Sequence, residues 1–177
     1  GNNAVITNNS IISATSDGND ISAFGISSLG DNTVITNNGA ISVTSDGNNS
    51  ATGGINSLGN NAVITNNGTI TTSGEVSVAI IGSFDNLTTK QSVTLGSNSI
   101  TIGGTSAIEL GLGDDELIIN QGAVISGAID MGDDNDKVTF IGSGPSSKIA
   151  IANAEEIDVS AINGFVINNN VYTIDPT

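Results

Sequence analysis

The chain has 177 residues, 37% of them hydrophobic and only 3% aromatic, with 23 glycines and two prolines. Eighteen acidic residues against three lysines give a net charge of −15, and there is no histidine, arginine or cysteine. This balance argues against nucleic acid and anionic membranes as partners, because both need Lys and Arg. It also excludes disulfides and thiolate metal sites, and leaves cations, basic protein surfaces and neutral glycans.

The organising stretch is Val5-Ile6-Thr7-Asn8-Asn9, which returns as Val34 to Asn38 and as Val63 to Asn67, at an interval of 29 residues. Gly1, Gly30 and Gly59 precede it, and Ile12, Ile41 and Ile70 follow it. A fixed period in this range marks stacked structural units. Each unit is too polar and too Gly-broken for an amphipathic helix. Its alternation places Ile6, Asn8 and Ile12 on one side, with a bend at Asn9-Ser10 that becomes Asn38-Gly39 and Asn67-Gly68. The Asn-Gly pairs predict left-handed backbone at that bend. A third short strand is expected at Ala23 to Ile26 and again at Thr52 to Ile55.

Three short strands per unit, with like residues at like places, describe one coil of a parallel β-helix. Coils stacked about 4.8 Å apart would set Ile6, Ile35 and Ile64 in an inward ladder, and Asn8, Asn37 and Asn66 in an amide ladder. At about 20–29 residues per coil the chain holds about seven or eight coils. Between the second and third strands lies a polar loop, Ser16 to Asp20 and then Ser45 to Asn49, shortened in the third unit to Ser73-Gly74-Glu75, with Ile80 taking the place of Ile55. Loops stacked along one face are where solenoids place binding contacts.

Residues 1–88 are read as the regular coils. Over residues 89–142 strands are expected at Val93 to Leu95, Ile100 to Ile102, Ala107 to Leu110, Leu117 to Ile119 and Val138 to Phe140, without the 29-residue period. Two acidic turns, Gly111 to Glu116 and Met131 to Asp136, align with each other as a shorter coil. They resemble the Gly- and Asp-rich calcium nonapeptide of RTX toxins, although Gly-Gly-x-Gly-x-Asp is complete in neither. That resemblance implies Asp114, Asp115, Asp133, Asp134 and Asp136 as candidate donors for a calcium ion, which takes six to eight oxygens. No other cofactor is expected. After the break at Gly144-Pro145, residues 143–177 read as antiparallel strands: Ile149 to Ile151, Ile157 to Val159, Phe165 to Ile167 and Val171 to Ile174. Turns at Asn163-Gly164 and Asn168 to Asn170 would join them into a cap over the open last coil.

The run Ile64-Thr65-Asn66-Asn67-Gly68-Thr69-Ile70 resembles the Asn-x-Gly-x-Ile coil signature of Gram-negative type V autotransporter passenger domains. Leu110 to Phe140 is similar to their Gly-x-Gly-Asp-Asp coils, and Glu156 to Ile174, with Asn163-Gly164-Phe165, to the autochaperone end of the passenger. The usual Gly-Gly-Thr-Trp of that cap is missing. The resemblance implies an all-β fold, a right-handed parallel β-helix with a C-terminal antiparallel cap. It implies a fragment of a longer protein, fused to an outer-membrane β-barrel and displayed on the cell surface or secreted. It also implies an adhesin or receptor-binding virulence factor whose partner is a host-cell surface protein or glycan, with self-association as a further mode.

Three alternatives stand beside that reading. A non-catalytic stalk would need only the ladders. A carbohydrate-active β-helix enzyme would need clustered carboxylates in a cleft or an arginine base, and the chain has no arginine. An ice-binding face would need Thr-x-Thr on every coil; Thr7, Thr36 and Thr65 stack, but only Thr71-Thr72 and Thr88-Thr89 come near paired Thr rows. With no histidine, cysteine or Gly-x-Ser-x-Gly elbow, the sequence argues against an enzyme.

Overall fold

A computed structural model describes residues 1–83 and 90–158, and the backbone alone of 165–168 and 171–174. The described residues form strands, turns and bends, with no helix. The first coil holds β1 (Val5–Asn8), β2 (Ile11–Ser16) and β3 (Ala23–Ser28). The second holds β4 (Val34–Asn37), β5 (Ala40–Ser45) and β6 (Ala51–Ser57), and the third β7 (Ala62–Asn66), β8 (Thr69–Ser73) and β9 (Val76–Ser83). Above them lie β10 (Gln91–Leu95) with the long β11 (Ile100–Gly111), then β12 (Glu116–Ile119) with β13 (Val124–Asp130), then β14 (Lys137–Phe140) with β15 (Ile149–Ala152). β16 (Glu156–Asp158), β17 (Phe165–Asn168) and β18 (Val171–Ile174) complete the order.

The expected stacking is observed. One seven-stranded sheet runs β1-β4-β7-β10-β12-β14-β16, parallel throughout. The opposite wall carries two parallel stacks, β2-β5-β8 and β3-β6-β9, which β11 joins by pairing through Ile100–Ile102 with β8 and through Ser106–Gly111 with β9. The fold is therefore all-β and solenoid-like.

The residue pattern explains the strands. In Val-Ile-Thr-Asn the β-branched residues favour extended backbone, and alternation turns Ile and Asn inward. Ile6 pairs in register with Ile35, Ile35 with Ile64 and Ile64 with Val93, and the column continues through Leu117, Val138 and Ile157. From Ile35 to Val138 these side chains are at most 1% exposed. Small and β-branched residues fill the narrow interior, where Phe140 is the only buried aromatic among the described residues.

Four expectations are corrected. First, the Asn-Gly bend is not left-handed: Gly39 and Gly68 are absent from the positive-φ residues, which instead include Asn3, Asn32 and Asn61 (φ 59°, 53° and 54°) at the corner before the first strand of each coil. Glycine serves the bend by allowing close approach: a Cβ on Gly39 would lie 1.9 Å from the Ser10 carbonyl oxygen, and one on Gly68 2.0 Å from that of Gly39. Secondly, the 29-residue interval persists one coil further, since Val93 sits on Ile64. Along the seven-stranded sheet it then shortens to 24, 21 and 19 residues. Thirdly, β13 is a strand that alternation did not mark, because Gly127 and Ala128 interrupt its apolar rhythm. Fourthly, β15 and β16 pair parallel with β13 and β14, so the stacked arrangement runs past residue 142. β18 pairs antiparallel with β15 and β17. Val159, Asn163-Gly164 and Asn169-Asn170 lie outside the described residues.

Candidate functional site

Three features of the stack carry chemistry: the asparagine corner, the loop face and the acidic turns. At the asparagine corner Asn8 Nδ2 donates to Asn37 Oδ1, and Asn37 Nδ2 to Asn66 Oδ1, both at 2.8 Å. Asn37 and Asn66 are fully buried. A second, exposed row runs the other way: Asn67 Nδ2 donates to Asn38 Oδ1 and Asn38 Nδ2 to Asn9 Oδ1, both at 2.9 Å. The inner row ends where Asn66 Nδ2 donates to Thr101 Oγ1 at 3.0 Å. The corner beyond is apolar, with Leu95, Ile119 and Phe140 in register above Asn66.

The loop face stacks as expected. The amide of Asp46 donates to Ser16 O at 3.1 Å, that of Asp20 to Asn48 O at 3.0 Å, and that of Asn49 to Glu75 Oε2 at 2.7 Å. Left-handed backbone at Asp20 and Asn49 (φ 59° and 54°) shapes both long loops. Asp17, Asp20, Asp46, Asn48 and Glu75 are exposed. The first lysine is Lys90, so this face presents carboxylates and amides with no lysine of its own coils.

The two acidic turns stack on each other. Leu112 bridges Asp133, and the amide of Asp133 donates to Gly111 O at 2.8 Å. Asp114 Oδ1 accepts from the amide of Asn135 at 3.2 Å, and Asp134 Oδ2 from that of Gly113 at 3.2 Å. Positive φ at Gly113 and Asp134 (115° and 91°) makes room for this close stacking. Asp114, Asp133 and Asp134 are exposed, whereas Asp115 and Asp136 turn inward. Beside the turns lies a hollow of about 230 Å³ whose lining includes Glu109, Asp130, Asp133 and Asn153.

The five aspartates named above are therefore neighbours, but they divide between two environments. Among the described residues no group of three or more acidic side chains is placed to hold a metal ion. Asp115 and Asp136 each spend one oxygen on a backbone amide. Asp115 Oδ1 accepts from Gln91 N at 2.6 Å and Asp136 Oδ1 from Asp115 N at 2.7 Å, and Glu155 Oε2 continues the series by accepting from Asp136 N at 2.8 Å. Burial is the main cause that pushes the Asp115 carboxyl up to about 8; the Gln91 amide opposes this, and Asp136 and Asp114 add to it. Burial likewise pushes Asp136 up to about 7, opposed by the Asp115 amide and reinforced by Glu155, Asp114 and Asp134.

Sequence reasoning missed Gln91 and Glu155 as members of this column. The intervals that bring them into register, 24 and 19 residues, match no repeat in the chain. Comparisons with protein-family models, with curated proteins and with solved structures find no match for this chain.

Proposed function

We propose that the chain is a right-handed parallel β-helix from the passenger of a Gram-negative autotransporter, displayed at the cell surface or secreted, that binds a host-cell surface protein or glycan. The observation that carries this reading is the loop face. Exposed Asp17, Asp20, Asp46, Asn48 and Glu75 lie on loops that hydrogen bonds from the Asp20, Asp46 and Asn49 amides hold in stacked register. Such an array offers rigid, repeated acceptors to a ligand without spending ordering entropy on binding. Its sign suits a basic protein surface or the hydroxyls of a neutral glycan. The antiparallel pairing of β18 with β15 supports the reading of a closing cap, and the fusion to an outer-membrane β-barrel follows from the passenger reading alone.

A non-catalytic stalk is the second reading. It is favoured by how many polar side chains of the repeat are spent between coils, as in the two asparagine rows. One experiment separates the two. The purified chain is applied to cultured animal cells, with calcium and with chelator, and bound protein is measured against concentration. Saturable binding that weakens when Asp46 and Asn48 are changed to Ala identifies the loop face as the contact. Absence of saturable binding in both conditions overturns the adhesin reading and leaves the stalk.

A further inference from the structure

The corner column Gln91, Asp115, Asp136 and Glu155 holds an electrostatic problem that the hydrogen bonds described so far do not solve. Gln91, Asp115 and Asp136 are at most 1% exposed. The second oxygen of each carboxylate and the Gln91 Oε1 are buried without a hydrogen-bond partner. Three unpartnered acceptors thus line one corner of three consecutive coils. Buried polar atoms in native proteins are almost always paired, and an ionised carboxylate can only accept.

No neighbouring positive charge resolves the problem. Lys90 sits beside Gln91 but reaches Glu116 at 3.7 Å, and Lys137 beside Asp136 is paired with Glu156; both lysines are about half exposed. Lys90 draws Asp115 down only as the smallest influence on it, and the other charged groups acting on the pair are anions: Asp114 and Asp134 from the turns and Glu155 from the next coil. A calcium ion would find at most one free oxygen per carboxylate here, far short of six to eight.

We propose that Asp115 and Asp136 act as a coupled pair that holds a proton inside the stack, so that the acidic half of the molecule tightens in acid and loosens in alkali. A protonated carboxyl supplies the donor that the corner lacks and removes one of two like charges stacked on successive coils. The upward displacement of both groups, to about 8 and about 7 from an ordinary 3.8, agrees with the geometry. The sign follows from linkage. Both groups bind protons more tightly when folded, so their contribution is fully present below about pH 4 and is lost as pH rises through about 7 to 8. This is the opposite of the usual acid denaturation driven by paired carboxylates. The inference is independent of any binding activity at the loop face.

The test uses the whole chain, in chelator, with two readouts. In the first, carboxyl-carbon NMR follows the side chains of Asp115 and Asp136 across pH 3 to 10. One carboxyl still protonated near neutrality is the expected result, and complete ionisation of both below about pH 5 overturns the proposal. In the second, Tm is measured against pH for the wild type and for the D115N/D136N variant, in which each amide keeps an acceptor oxygen and adds a donor. The expected outcome is a wild-type Tm that falls between about pH 4 and 8 and a variant whose profile is less steep over that range. Equal slopes overturn the proposal. So does recovery of the wild-type Tm at pH 9 on adding millimolar calcium, since the missing positive charge would then be a metal ion. If the variant does not fold, the wild-type titration decides alone.

Discussion

Asn37 is the residue on which the amide ladder turns. Its Nδ2 donates to Asn66 and its Oδ1 accepts from Asn8, so Asn37→Ala removes two buried hydrogen bonds at once, although Asn66 Oδ1 keeps the Gly68 amide and Asn8 Nδ2 keeps Ser10 O. Each lost bond should cost about 0.5–1.5 kcal/mol. Asn38→Ala removes a similar pair of bonds from the exposed row, where water replaces them, and should cost no more than about 0.5 kcal/mol. Urea unfolding of the two variants side by side checks the contrast, and equal losses would mean that the outward row is as desolvated as the inner one. The inner ladder was legible in the sequence because Asn8, Asn37 and Asn66 recur at a fixed interval at the inward place of a strict alternation. The role of Gly39 was not. Its pairing with Asn38 suggests a left-handed turn, but whether a glycine is needed for its φ or for an approaching backbone depends on the coil beneath it. The distances give the second reason, and Gly39→Ala should therefore destabilise by about 1–3 kcal/mol through overpacking against Ser10. The same contact ties the Gly68 amide to Asn37 O and Asn66 Oδ1. That amide is the nucleophile in Asn67 deamidation, so the folded chain should resist conversion at Asn67-Gly68 far better than the urea-unfolded chain, as peptide mapping by mass would show.

Strand pairs report where charge is tolerated. Ile35 is fully buried between Ile6 and Ile64, so Ile35→Asp places an unpaired carboxylate in a dry column and should abolish the cooperative transition seen by circular dichroism. The double change of Asp46 and Asn48 to Ala, on exposed positions of the loop between β5 and β6, should leave that transition within about 0.5 kcal/mol of the wild type. Loss of folding in the loop variant would reverse the assignment of inside and outside. Elements with strict alternation were readable, as β1, β4 and β7 show. Pairing partners in the second half were less so. Ile149 to Ile151 and Ile157 alternate as well as any strand, but alternation says nothing about direction. Parallel pairing of β15 and β16 depends on coil lengths of 19 to 24 residues that no longer repeat. β13 was hidden for a different reason: Ser126, Gly127 and Ala128 are exposed, so a core face exists only at its two ends.

Across the whole molecule the polar ladder changes corner. In the first three coils the seven-stranded sheet is sealed at its far edge by Asn8, Asn37 and Asn66, while Ala62 occupies the near edge. From the fourth coil onward the far edge is apolar, at Leu95, Ile119 and Phe140, and the near edge carries Gln91, Asp115 and Asp136. An amide ladder satisfies itself by alternating donors and acceptors, and is indifferent to salt and pH. A carboxylate column only accepts, and each added member repels the last. The two halves should thus respond differently to solvent, although one continuous core joins them. Asp114, Asp133, Asp134, Glu155, Glu156 and Asp158 crowd the second half, and at low ionic strength their repulsion reaches about 30 Å, against about 3 Å at 1 M salt. Raising sodium chloride from 10 mM to 1 M at pH 8 should raise Tm, and hydrogen exchange should slow most in β12, β14 and β16. Uniform slowing in both halves would point to a general salt effect on burial. A fall in Tm would mean that the two lysine pairs, Lys90 with Glu116 and Lys137 with Glu156, outweigh the repulsion. Exposed pairs of this kind contribute little, so the rise is the outcome that charge density favours.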